Sequence, residues 1–132
     1  APHSYYGRDW ALPHHVAALL ALSHGDSAAA ERELIASRFV TGGWTRTDVE
    51  LAKLQLARGR TAEAIETLRA APGAPLDAMG RYLPKTEISY WMARVFARAG
   101  EGDSATVYAN RVRTAWSDAD PEVRRMLETL PR

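Results

Sequence analysis

Two copies of a Gly-Asp-Ser triplet, Gly25-Asp26-Ser27 and Gly102-Asp103-Ser104, are the first places in this 132-residue chain to look for chemistry. Some esterases carry their nucleophile in such a triplet, yet a serine becomes nucleophilic only beside a positioned base and an orienting carboxylate. Both triplets fall between helical stretches, where Asp and Ser oxygens satisfy the free N–H groups of a helix start. They read as caps, and no catalytic residue is expected. His3, His14, His15 and His24 all lie in the first 24 residues. A helix turns about 100° per residue, so His14 and His15 diverge, and no histidine pair has the i,i+4 spacing that joins two imidazoles on one face. Surface or groove histidines are expected, and no metal site. No phosphate loop, dinucleotide glycine motif or kinase signature occurs, so no cofactor is expected and the chain reads as a non-enzyme.

Composition narrows the class further. Lys and Arg number 17 against 16 Asp and Glu, a net charge of +1 that is spread evenly along the chain. That balance argues against nucleic acid and anionic lipid as partners. No uncharged apolar run approaches the roughly 18 residues of a membrane span, so no membrane insertion is expected. Zero cysteines exclude disulfides, thiolate zinc sites and cysteine catalysis, while leaving the compartment, cytoplasmic or periplasmic, open. The start Ala1-Pro2-His3-Ser4-Tyr5-Tyr6-Gly7 has neither a basic n-region nor an apolar core. It reads as a piece cut from a longer protein.

The elements that must position any site are helical. Alanine, leucine, arginine and glutamate dominate, with little β-branched alternation. Gly42-Gly43, Pro72-Gly73-Ala74-Pro75 and the glycines around Gly100 punctuate the chain, and Pro13, Pro84 and Pro121 suit first helical turns. The expected helices are 12–24, 27–40, 46–58, 61–71, 85–99, 103–116 and 121–130. Thr47-Asp48-Val49-Glu50 fits a capping box, and Asp26, Thr61, Asp103 and Asp120 fit N-caps.

Three glycines share a pattern. Gly25, Gly59 and Gly100 each have an alanine seven residues before (Ala18, Ala52, Ala93) and five after (Ala30, Ala64, Ala105), and Gly25 and Gly59 are 34 residues apart. Small side chains let two helices cross at about 8 Å, and glycine permits the left-handed turn between them. In this the chain resembles the tetratricopeptide repeat (TPR) family, whose 34-residue helix-turn-helix unit has these residues at these places. The resemblance implies a right-handed α-solenoid of three helix pairs (repeats about 12–42, 45–76 and 85–118) in a single domain over 1–132. A capping helix at 121–130 would complete it. Leu51, Leu54, Ile65, Leu68, Met92, Val95, Phe96, Tyr108 and Val112 are the expected core. The chain departs from the family in a second interval of 41 residues, with the excess in Ala71–Pro84. Gln55, Asp48, Ser89 and Ala109 also stand where the family carries larger apolar or aromatic residues.

A second resemblance covers residues 74–121. Pro75-Leu76-Asp77-Ala78, Tyr82, Lys85-Thr86-Glu87, Gly102-Asp103-Ser104-Ala105, Tyr108, Trp116 and Ala119-Asp120-Pro121 are similar to terminal repeats of bacterial signalling proteins. That group includes serine/threonine kinases and winged-helix regulators with repeat arrays.

The first helix of each pair would line the concave face. Counting from the glycines places His15, Leu19, Val49, Glu50, Lys53, Leu56, Glu87, Tyr90, Trp91, Arg94 and Arg98 there. Within this set Glu50, Lys53, Tyr90, Trp91, Arg94 and Arg98 are the candidate binding residues, because aromatic and Arg side chains combine desolvatable area with directional bonds. His15 and Leu19 stand where some TPR proteins carry a clamp for acidic C-terminal tails, so that ligand class is not expected. The expected role is a non-catalytic protein–protein interaction module, a scaffold or sensor arm of a larger bacterial protein. Two alternatives stay open. One is a small-molecule or oligosaccharide site using Trp44, Tyr90 and Trp91; the other is self-association into a homo-oligomer through Met79 and Tyr82.

Overall fold

The computed structural model describes residues 8–38, 45–73 and 85–131, and among these every regular element is helical. The order is α1 (Arg8–Ser23), α2 (Ser27–Ala36), α3 (Thr45–Ala57), α4 (Thr61–Ala70), a 3-10 turn at Ala71–Gly73, α5 (Lys85–Ala99), α6 (Gly102–Ala115) and α7 (Pro121–Glu128). The chain is all-α. Trp44, Met79, Tyr82, Pro84 and His3, with most of the expected 71–84 linker, lie outside the described residues.

Three turns are built alike. Gly25, Gly59 and Gly100 have φ of +76°, +76° and +80°. At each, the glycine N–H donates to the carbonyl three residues back, and the next N–H donates to the carbonyl five back. These second bonds run from Asp26 to Ala21, Arg60 to Gln55 and Glu101 to Phe96, each 2.9 Å. This double closure satisfies the last carbonyls of the first helix and requires a left-handed residue, which only glycine adopts without strain. The residue after each glycine then opens the second helix in nearly the same conformation, with φ/ψ of −83/79°, −89/66° and −89/71°. Ala30, Ala64 and Ala105 make the following helical bonds, their N–H groups donating to the carbonyls of Asp26, Arg60 and Glu101. The fixed five-residue offset from glycine to alanine is therefore a backbone register.

The alanine side chains sit at the crossings. Ala18, Ala30, Ala64, Ala93 and Ala105 are 0% exposed and Ala52 is 1% exposed. Larger residues fill the space around them. Leu34, Leu51 and Leu54 join Ala18 and Ala30 between the first pair and α3. Val49, Ile65, Leu68, Ile88, Met92, Val95 and Phe96 form a second cluster between α3, α4 and α5. Each fully buried leucine in these clusters contributes about 1.5–3 kcal/mol by burial. Phe96 and Tyr108 stack at 5.6 Å across α5 and α6. The expected core residues are buried, except that Tyr108 is half-buried. Packing follows chain order: α1 against α2, α3 against α4 and α5 against α6, with α2–α3 and α4–α5 contacts between them. Met126 and Leu127 of α7, followed by Leu130, cover the cluster of Tyr90, Ala93, Ala109 and Val112.

Several local expectations are corrected. α1 begins at Arg8, so Pro13 lies inside it rather than in its first turn, and the helix gives up the bond that its missing N–H would make. α2 ends at Ala36, not 40. The Thr47–Glu50 box is not a helix start, because α3 begins at Thr45 and both Thr47 and Asp48 are fully buried. Thr61 and Asp103 are not N-caps; Arg60 and Glu101 hold those positions without a side-chain bond. Asp26 does cap α2, accepting from Ala29 N–H at 2.8 Å. Asp120 stands at the N-cap of α7 before Pro121, also without a side-chain bond.

Candidate functional site

The helical period places Lys53, Leu56 and Ala57 on one face of α3, and Trp91, Arg94 and Arg98 on one face of α5. α3 and α5 are in contact, and these six residues line one open cleft of about 370 Å³. Trp91 is its partly exposed shelf. Lys53 Nζ lies 5.1 Å and Arg94 Cζ 4.9 Å from the Trp91 ring, both within cation–π range. Arg94 and Arg98 also line an adjoining hollow of about 390 Å³, completed by Ala97, Thr129, Leu130 and Pro131. The floor of the site is tied together by ring and hydroxyl contacts. Tyr90 meets Trp91 edge to face at 5.3 Å, and its hydroxyl lies 3.0 Å from Thr129 Oγ1 and 3.3 Å from Arg94 Nη1.

The sequence-selected residues divide in two. Lys53, Trp91, Arg94 and Arg98 share the cleft, as does Leu56. Tyr90 does not face it: at 3% exposure it packs against Ala93, Ala109, Val112 and Leu130. The counting scheme placed it in the trough, but Trp116 and the segment after α7 cover its ring. Glu50 lies beside the cleft without lining it, its carboxylate receiving Lys53 Nζ with both oxygens at 3.0 Å. Of the wider set, Val49 is core, and Glu87 pairs with Arg46 at 3.2 Å. His15 is also buried, its Nδ1 lying 3.0 Å from Thr47 Oγ1.

His15 belongs to a polar junction that the sequence reading missed. Thr47 Oγ1 is 3.2 Å from Ser37 Oγ, and Asp48, wholly buried, pairs with Arg38 Nε at 3.0 Å. Burial pushes the Asp48 carboxyl up to about 7, against the pull of the Arg38 guanidinium. A signal was present: Asp48 occupies a position where the resembled family carries a large apolar residue.

The residues weighed for chemistry are apart. His14 faces Glu33 at 2.8 Å while its neighbour His15 enters the α1–α3 interface, and His24 is exposed. Among the described residues no group of three His, Asp or Glu could hold a metal. The two Gly-Asp-Ser copies are two residues out of register. Gly25 is the left-handed turn residue, whereas its counterpart is Gly100, and Gly102 is the first residue of α6. No described helix is long and apolar enough to cross a membrane. Neither a family model nor a curated protein matches the chain.

Proposed function

We propose that the chain is a right-handed α-solenoid of TPR type, three helix pairs closed by α7, and that it is a non-catalytic protein-interaction module within a larger bacterial signalling protein. The thrice-repeated glycine turn and the six buried alanines support the architecture. The observation that carries the function is the cleft itself. An aromatic shelf, a leucine and three cations converge from two neighbouring helices on an open trough. Trp and Arg lead the residues that dominate protein interfaces, because both bury large area around a directional polar end.

Selection of peptides from a random library on the purified chain tests this reading. Peptides recovered on the wild type should bind Trp91→Ala more than tenfold more weakly at a temperature where circular dichroism shows the variant folded. Equal binding to both proteins would place the docking face elsewhere.

A further inference from the structure

The charges around the cleft specify what should fill it. The linings of its two hollows contain Lys53, Arg94 and Arg98 and no carboxylate. Lys53 is already paired with Glu50. Neither Arg94 nor Arg98 has a carboxylate partner among the described residues; Arg94 holds only the Tyr90 hydroxyl and the faces of Tyr90 and Trp91. Two like charges at i,i+4 on one helix repel, a modest cost that an anionic occupant would reverse. Guanidinium forks match carboxylates in a two-point geometry.

Spacing then selects the form of the occupant. Side chains at i,i+4 on a helix stand about 5–6 Å apart. In an extended peptide, alternate residues lie on one face about 6.6 Å apart. Along α5 the order is Arg98, Arg94, Trp91, with Lys53 reaching the Trp91 ring from across the cleft. We infer that the cleft takes an extended acidic peptide segment with two carboxylates and then an apolar side chain at alternate positions, the acids on Arg98 and Arg94 and the apolar group on the exposed part of Trp91. This rests on the interaction reading above and names its partner chemistry. It needs no terminal carboxylate, so internal segments qualify.

The test uses the whole chain, labelled with 15N, and the probes Ac-Glu-Ser-Glu-Ser-Leu-NH2 and its reversed sequence, with Gln-for-Glu and Lys-for-Glu counterparts. The Trp91 indole and the Nε–H signals of Arg94 and Arg98 are followed, assigned by W91F, R94K and R98K. A Glu peptide in one of the two directions should shift all three saturably. Its Gln counterpart should bind at least tenfold more weakly, the Lys form should not bind, and raised salt should narrow the Glu/Gln gap. In R94Q/R98Q that gap should vanish. If Gln and Glu peptides bind wild type equally at these signals, the acidic preference is wrong and the docking face stands. If neither those probes nor any selected peptide moves them, both readings fall. Tighter binding of an eight-residue oligothymidylate than of either Glu peptide would also overturn the inference, assigning the cations to phosphates.

Discussion

The junction that joins α1 and α2 to α3 carries buried polar groups beside its apolar cluster, whereas the junction that joins α3 and α4 to α5 is apolar at its core. At the first, His15, Thr47, Ser37, Arg38 and Asp48 meet in hydrogen bonds and an ion pair. A carboxylate on α2 reinforces it, Glu31 pairing with both Arg58 and Arg60. At the second, Val49, Ile65, Leu68, Ile88, Met92, Val95 and Phe96 interlock, and the Arg46–Glu87 ion pair lies at their partly exposed margin. The turns within the pairs are the same; the seams between pairs are not. A polar seam demands one register, because each donor must meet its acceptor, and it answers to pH. An apolar seam supplies stability and a stiff base, and it is on this side that the cleft opens. The outer face of α1 differs again, leaving Leu12, Val16, Leu19 and Leu20 between 43% and 56% exposed.

The largest effect that would sharpen this contrast is at the apolar seam. Leu68 is 0% exposed, so Leu68→Ala should cost about 2–5 kcal/mol through lost burial and the cavity left behind. Urea unfolding measures it, and a cost under about 1 kcal/mol would mean the second seam is not the stabilising one.

The polar seam should reveal itself through pH. With its carboxyl raised to about 7 from an ordinary 3.8, folded Asp48 keeps a proton that the unfolded chain has released throughout that window. By linkage its contribution is fullest below pH 3.8 and is lost as pH rises toward 7. Asp48→Asn should remove this slope, gaining on the wild type as pH rises from 4 to 8. His15 and Arg38 face the same junction and are present in both proteins, so the difference between melting curves isolates Asp48. A difference independent of pH would show that the carboxylate is charged across the range.

The turns and helices on either side of these seams were legible in the sequence, and the contrast between the seams was not. Gly25, Gly59, Gly100 and their alanines could be read because the backbone turn fixes both offsets, independently of the partner helix. The helical span 85–99 could be read for a similar reason: its apolar residues keep helical spacing between Lys85 and the turn glycine. The Thr47-Asp48-Val49-Glu50 box misled because a polar pattern suited to a helix start was serving partners on other helices. Tyr90 misled because the coverage of its ring comes from Trp116 and Leu130, far along the chain. Long-range contacts of that kind leave no local period.

The smallest expected effect separates turns that share a backbone but not a side chain. Asp26→Ala should cost about 1 kcal/mol by removing the bond to Ala29 N–H. Thr61→Ala should cost at most a few tenths, since Arg60 is the N-cap of α4 and Thr61 only its first helical residue. Equal losses in thermal unfolding would mean the turns are not stabilised as described.

The most direct test of the central claim is a map of amide shifts across the 15N-labelled chain when the tightest library peptide is added. The changes should centre on Lys53, Leu56, Ala57, Trp91, Arg94 and Arg98, at the apolar-seam end of the molecule. Changes confined instead to Leu12, Val16, Leu19 and Leu20 would move the docking face to α1 and contradict the account.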